Sequence, residues 1–560
     1  MSNIILAEIP EEIDPASIDV NAQKAAKKEW KRSAGKAKAL ARQAICHDVW
    51  IDQLDDVIEF NSAWVFPKDE ENYSNTRKRL MRLLAGRKSI RDFKPAKGRL
   101  GIPKSSLDGA RESVLNKNED LPKWLALRMR LSNGEQLCAV GLTKRLGGGR
   151  VPFPSVIRVA ADPWIRGIRS GRRKDANQLL DEIRDLCRVS CKLQGRSECD
   201  YQPLDQNCRL CKGENSFSSG TGKRLYQDFP FDGQIFYPSR LYRVKKDLKD
   251  ISMDTSEDNP YKDDMKKLIQ IEEKVRRLQK KDNGGLGLGE PNPYLAILVA
   301  DGDHMGKALS TIKSAEEHRK FSSNLSTFAS EARTIVEGNH GCMVFSGGDD
   351  VLAFLPVDTC LKAARDLHDK FGELQFSDKN KNRTRLTLSV GIAIVHSMEP
   401  LEDLLVFGRA AEQAAKNPDR NGLAVHLRTR SGGEPILIRE QWKESSENGL
   451  DQRLKSWAEM HLKDELPDKA AYDLRQLAEE YRGWPEISHD LLEKDMRRLL
   501  KRKRAGQGTK DISDVDLTEL MKDVKSHDDL IRRAKELVLA RSIAEAKKIV
   551  QASISKEASA

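Results

Sequence analysis

Histidine is scarce in this chain and badly placed for metal chemistry. Ten histidines serve 560 residues; none precedes His47 and none lies between His47 and His304. Four His-Asp pairs occur, at His47-Asp48, His368-Asp369, His489-Asp490 and His527-Asp528. A phosphohydrolase built on such pairs needs further imidazole ligands close by, so each pair reads as an ordinary helix or surface feature. Long apolar runs are also missing. The strongest are strand-length, too short to cross a bilayer. Met1 to Glu8 turns acidic within a few residues, unlike a secretory leader. The expected setting is a soluble, cytoplasmic one without membrane contact, where thiols stay reduced.

Acidic residues are nearly absent from one stretch. Between Arg77 and Arg99 there are ten Lys or Arg residues and one acid, Asp92. Arg166, Arg169, Arg172, Arg173 and Lys174 form a second basic group. The whole chain has 97 basic and 86 acidic residues, a formal charge of +11 and a pI near 9.0. Basic stretches suit phosphate backbones, although 33% charged residues also make solvated helix faces common. The first stretch is the better RNA candidate. Arg497 to Arg504 is basic enough for an import signal, but a basic helix end explains it as well.

Five of the nine cysteines fall between residues 187 and 211. Cys187 and Cys191, then Cys208 and Cys211, make two close pairs with Cys199 between them. Four thiolates in tetrahedral array suit a structural zinc ion. The expected ligands are Cys187, Cys191, Cys208 and Cys211, with Cys199 able to replace one of the first pair. The plainer reading makes Cys187 and Cys191 apolar helix neighbours at i and i+4. Cys46, Cys138, Cys342 and Cys360 are scattered and read as core residues.

Two glycine-rich segments carry no function. Ser219-Gly-Thr-Gly-Lys223 lacks the first glycine and the final Ser or Thr of a phosphate loop. Gly284 to Gly289 precedes a strand instead of following one, and reads as a linker.

The informative stretch is Gly341-Cys-Met-Val-Phe-Ser-Gly-Gly-Asp-Asp-Val-Leu-Ala-Phe-Leu355. Two apolar, strand-compatible runs flank Gly347-Gly348-Asp349-Asp350. The glycines suit a hairpin tip and close approach of an anion to the backbone. Adjacent carboxylates there suit Mg²⁺ or Mn²⁺. Alone, the stretch would read as a surface turn.

Upstream, the strand pattern Tyr294 to Ala300 runs into Asp301-Gly-Asp-His-Met-Gly306. A helical stretch from about Lys307 to Val336 follows, then the hairpin. Asp358 is placed to cap a helix reaching about Phe371. A strand over Leu386–Val395, a helix over Leu401–Lys416 and a strand over Leu423–Leu427 complete the unit. This order is a ferredoxin-like palm with an extra edge, in which Asp301 faces Asp349 and Asp350. Such a site serves two-metal phosphoryl transfer, with cations about 4 Å apart. Asp301 and Asp349 would take the shared ligand roles and Asp350 a further one. Asp303 is either a ligand or a residue shaping the turn. Lys416 either reaches a triphosphate or is a solvated lysine at a helix C-terminus.

Ala300-Asp-Gly-Asp-His-Met-Gly306 together with Ser346-Gly-Gly-Asp-Asp-Val351 resembles the cyclase palm of the large subunit of type III CRISPR effector complexes, the Cmr-type (III-B) branch most of all. Lys104 to Val114 and Gly141 to Arg145 resemble that branch too, so the likeness runs from about residue 75 to 430. The resemblance implies an antiviral ribonucleoprotein with guide RNA, target RNA and other subunits as partners. It further implies that ATP is joined into cyclic oligoadenylates when target RNA is bound. Gly347, Gly348 and Lys416 would then contact nucleotide. A diguanylate cyclase would carry Glu-Phe where this chain has Asp350-Val351. An RNA-dependent RNA polymerase would place a second Asp where Met305 and Gly306 stand. The family often has an N-terminal HD nuclease domain; the histidine pattern leaves none to expect here.

The expected class is α+β and multidomain. Residues 1–165 would be a degenerate palm by resemblance, 166–290 a zinc module with a helical connector, 291–432 the catalytic palm, and 433–560 a helical bundle. The competing function is a scaffold whose palm supports assembly without catalysis. That reading predicts lost carboxylates, whereas Asp301, Asp349 and Asp350 are all present.

Overall fold

The computed structural model describes the chain apart from residues 1–3, 56, 91–97, 117–125, 127, 128, 130, 132, 133, 148–153, 172, 194–225, 227, 228, 230, 253–263, 378–382, 445–447, 468, 485–488, 503–512 and 556–560. Its first half is helical: α1 (Pro15–Ala41), α2 (His47–Asp52), α3 (Tyr73–Ser89), α4 (Ala139–Leu146), α5 (Val156–Ser170), α6 (Lys174–Leu193), α7 (Pro238–Ser252) and α8 (Asp264–Gln279). Ala34, Ala37 and Ala41 of α1 recur at helical spacing and meet Trp50, Leu142, Trp164, Leu180, Phe229, Phe236 and Ile271 in one core. Among the described residues of 1–165 there is no strand, only the isolated bridges Ile45–Leu115 and Lys104–Glu112. The sheet that a first palm requires is not among them.

The Gly-rich segment after α8 is more than a spacer. Leu286 and Leu288 donate amides to the carbonyls of Arg277 and Leu278, so the chain is tied to the end of α8 before it enters the palm.

The palm itself runs β1 (Tyr294–Gly302), α9 (Met305–Thr311), α10 (Ala315–Gly338), β2 (Cys342–Gly347), β3 (Asp350–Leu355), α11 (Cys360–Gly372), a small hairpin β4 (Gln375–Ser377) and β5 (Arg383–Arg385), β6 (Leu388–His396), α12 (Leu401–Lys416), β7 (Gly422–Leu427) and β8 (Ile436–Gln441). The sheet order is β2-β3-β1-β6-β7-β8. Its first four strands have the ferredoxin-like arrangement; β7 adds in parallel to β6 through the α12 crossover, and β8 closes the edge antiparallel to β7. Both β8 and the β4–β5 hairpin exceed the expected elements, and the sheet passes residue 432.

Alternation along β1 sorts two cores. Ala296, Leu298 and Ala300 face α10 and α11. Leu295 and Ile297 face α12 and Val159 and Ala160 of α5. On the first side the core continues without a break into α13 (Leu450–Leu462), α14 (Ala470–Glu480), α15 (His489–Arg502), α16 (Asp514–Met521) and α17 (His527–Ser555). Trp457, Leu474 and Leu537 are among its members. Arg365 of α11 anchors α13 through a bidentate pair with Asp451, at 2.9 and 2.6 Å.

Asp358 does not cap α11. Thr359 holds the N-cap position without a side-chain bond. Asp358 instead accepts from Nη2 of Arg166 in α5 through both carboxylate oxygens, at 3.0 and 2.9 Å. A largely buried guanidinium holds a carboxylate more strongly than a helix amide can, and the pair fastens the N-terminal helices to the palm.

Candidate functional site

The end of β1 meets the hairpin tip. Ala300 pairs with Val351, and the next step sets Asp301 opposite Asp350 on one face. The amide of Gly302 donates to the carbonyl of Asp349 at 3.2 Å. Only glycine permits this approach. A Cβ on Gly302 would stand 2.7 Å from Phe371 Cζ and 2.8 Å from Asp349 Cβ. At the tip Gly347 pairs with Asp350, leaving Gly348 and Asp349 as a two-residue loop. Gly348 takes φ 72° at the first loop position, as a type II′ turn demands.

Crowding shows in the acid–base properties of the carboxylates. Burial, a side-chain hydrogen bond with Asp301 and the charges of Asp349 and Asp301 push Asp350 up to about 7. Asp349 is also raised, by burial first and then by Asp301. A cation would relieve this repulsion. In the chain itself the cation is Lys416, whose Nζ lies 2.8 Å from Asp301 Oδ2 and also pairs with Glu412. Burial opposes the lysine charge, but Asp301 and Glu412 outweigh it and raise its pKa. Lys416 is therefore not a solvated terminus; it points into the carboxylate group. Glu412 was not foreseen, although its i, i+4 spacing from Lys416 is visible in the sequence.

Asp303 is close in sequence but engaged elsewhere. Its carboxylate accepts from Thr387 Oγ1 at 2.9 Å, Ser389 Oγ at 2.8 Å and the amide of Asn421 at 3.0 Å. Arg420 Nη1 stands 3.5 Å away. Asp303 is 1% exposed, so it ties β1, β6 and the start of β7 together from inside. Among the described residues, no three His, Cys, Asp or Glu side chains already stand as a metal cage. Asp303 is turned inward and Asp301 is held by Lys416.

The other candidates divide. α3 holds the first basic stretch as far as Lys88, and none of its residues is buried. Tyr73 reaches His318 and Arg77 reaches the Leu309 carbonyl, so α3 docks beside α9 and α10 by its first turns. Within the second basic group Arg166 pairs with Asp162 and Asp358, Arg169 with Asp181 and Arg173 with Asp175, while Arg172 falls outside the described residues. Cys187 is buried in the N-terminal core, and Cys191 lies one turn later in α6. Cys199, Cys208 and Cys211 fall outside the described residues, as does Ser219–Lys223. Cys138, Cys342 and Cys360 are buried, as expected of core thiols, whereas Cys46 is only partly buried against the N-terminal core.

Residues 294–424 match the family model described as Cas10/Cmr2, second palm domain. A curated relative, the CRISPR system Cmr subunit Cmr2 of Pyrococcus furiosus, is 26% identical over 390 residues, 57% of this chain and 43% of its own length. The chain is thus similar to Cas10/Cmr2 proteins, with the family model confined to the palm, residues 294–424. It spans less than half the length of that curated Cmr2. Among solved structures, the type III-B Cmr-beta complex bound to cognate target RNA contains a chain of similar fold. That match has a TM-score of 0.50 at 12% identity and covers 96% of this chain and 70% of the other. The apo Cmr-beta complex gives a TM-score of 0.49 at 11% identity, with 97% and 69% covered. β1 and the β2–β3 hairpin lie within the residues that match the second palm domain model. No described helix is long and apolar enough to cross a membrane.

Proposed function

We propose that this chain is the large subunit of an RNA-guided type III CRISPR antiviral complex and that its palm converts ATP into cyclic oligoadenylates when target RNA binds. The observation that carries the reading is the meeting of Asp301, Asp349 and Asp350 beside Lys416 at the end of β1. The Cas10/Cmr2 palm supports it. A scaffold has no need to keep three carboxylates crowded together against their own repulsion.

The donor set fits Mg²⁺ or Mn²⁺. It is all oxygen, and the burial and neighbouring carboxylates that raise Asp350 are a repulsion that a divalent cation would relieve. Asp301 and Asp349 would hold the shared positions and Asp350 a further one. The ions would supply charge neutralisation for the attacking hydroxyl and the leaving pyrophosphate. The chain's own part is orientation. Lys416 offers an ammonium to the triphosphate in exchange for its bond to Asp301. Gly348 leaves open space for phosphate oxygens to approach the tip, and Gly347 leaves room for the ring of Phe345. Asp303 keeps the turn after β1 rigid. Structural zinc on Cys187, Cys191, Cys208 and Cys211 belongs to the same proposal; Cys187 and Cys191 are four residues apart in α6. Zinc content that survives Cys208→Ser with Cys211→Ser would exclude it. Within these residues the proposal includes no HD-type DNA cleavage.

The decisive experiment incubates the assembled complex with ATP, Mg²⁺ or Mn²⁺ and matching target RNA, and resolves the products by chromatography. Cyclic oligoadenylates that disappear with Asp349→Ala and Asp350→Ala are expected. A complex that binds target RNA yet yields no product would establish the scaffold role.

A further inference from the structure

The edge strand β2 contains a defect that alters what the site presents. Cys342 pairs with Phe354 and Met343 with Ala353, but Phe345 then pairs with Leu352, leaving Val344 as an extra residue. This is a β-bulge. Without it, alternation would carry Phe345 to the α10–α11 side, where Met343 and Val351 lie in the core. With it, Phe345 stands next to Leu352 on the opposite face. Ser346 takes the inward position instead and donates to the Ala329 carbonyl of α10 at 3.1 Å.

That opposite face is the one bearing Asp301 and Asp350. Gly347 pairs with Asp350, and the Phe345 ring fills the space a side chain on Gly347 would need. A Cβ there would stand 2.4 Å from Phe345 Cζ. The ring is nevertheless 43% exposed. A bulky aromatic has thus been taken out of a core it would otherwise enter, laid across a glycine, and left open on the face that bears the carboxylates. Aromatic rings with a free face are the usual platform for nucleobases, which stack through their own π-surfaces whatever their edge pattern.

We propose that Phe345 is a base-stacking residue of the palm: its ring receives the base of a nucleoside triphosphate whose phosphates lie at Asp301, Asp349, Asp350 and Lys416. The inference rests on the reading of the palm as a nucleotide site, and it assigns the base a place that the carboxylates cannot specify. The bulge at Val344 is the device that aims the ring.

The test separates base from phosphate. With the full-length chain and Mg²⁺, affinity is measured for ATP and for inorganic tripolyphosphate. Phe345→Ala is expected to weaken ATP by about tenfold, the scale of one stacked base, while tripolyphosphate binds as before. Phe345→Tyr should restore ATP binding. Phe345→Trp should give a fluorescence signal, above that of the native tryptophans, quenched by ATP but not by tripolyphosphate. Equal weakening of both ligands would show a structural role for the ring and overturn the proposal. Unchanged ATP affinity would overturn it too. Failure is distinguishable from failure of the cyclase reading. Phe345-dependent ATP binding without oligoadenylate products sinks the latter alone, and products formed with Phe345-independent binding sink the former alone.

Discussion

Lys416, the last residue of α12, places its ammonium 2.8 Å from the carboxylate of Asp301, the penultimate residue of β1. The pair exists because α12 lies unusually close to the sheet. A Cβ on Gly391 of β6 would come 2.1 Å from the Glu412 amide nitrogen, and one on Gly408 of α12 would come 2.9 Å from Ile297 and Val299. Two glycines, one on each partner, set the height of the helix and so the reach of its final lysine.

Gly391→Ala should therefore act at a distance. The contact is with backbone, which cannot rotate away, so α12 must lift. Overpacking of this kind destabilises by about 1–3 kcal/mol. A lower Tm with a larger fractional loss of ATP affinity than of folded protein is expected. Unchanged affinity in the folded fraction would show that helix height does not set the lysine.

Lys416→Met should leave the fold in place and weaken triphosphate binding by about tenfold or more, since a half-buried cation beside phosphate interacts far more strongly than in water. Lys416→Arg should keep part of that affinity. Calorimetric titration with ATP would check both. Equal binding by Lys416→Met and the parent would return the lysine to a purely internal ion pair.

Asp303→Asn should destabilise without emptying the metal site. Its carboxylate accepts three short bonds inside the protein. Weakening bonds to a buried charge costs roughly 1.5–3 kcal/mol. Thermal melts should register the loss, while Mn²⁺ affinity of the folded protein stays near that of the parent. Asp349→Ala should show the reverse. A collapse of Mn²⁺ binding in Asp303→Asn at unchanged Tm would make Asp303 a ligand.

Acid should weaken the palm through His426. This residue sits on β7, is 4% exposed, and has an Nδ1 with no hydrogen-bond partner. Burial, with the charge of Arg428, pushes it down to about 4. In the unfolded chain the same imidazole takes its proton near 6.5. Unfolding thus binds a proton between these values, and the contribution to stability is full above about pH 6.5 and lost as pH falls toward 4. His318, His340, His368 and His396 are lowered in the same sense. Tm measured from pH 7 to 4.5 should fall less steeply for His426→Leu than for the parent. Identical slopes would refute the assignment.

The palm was legible because its signals are local. The strand after Pro293, the Gly-Gly-Asp-Asp tip and the 16 residues of α12 each repeat at the period of one element, and their order admits few topologies. β8 was missed because Ile436–Gln441 is a short, half-exposed edge whose only strong cue is the partner it finds in β7. The role of Asp358 was misjudged for a related reason. Its partner Arg166 is 192 residues away, and nothing near either residue announces the pair.

By itself the amino-acid order determined the chemistry on offer: acids at a strand end and a hairpin tip, glycines where backbone must come close, and a lysine closing a helix. Those choices follow from steric and charge rules acting within a few residues. Which of the neighbouring acids face one another was decided only by the tertiary structure. Asp301 looks toward Asp350 while Asp303, two residues on, is drawn inside by Thr387, Ser389 and Asn421. Whether Phe345 enters the core or lies open beside the site was settled in the same way. Both outcomes depend on register between strands, and register is a property of the paired sheet that no single segment contains.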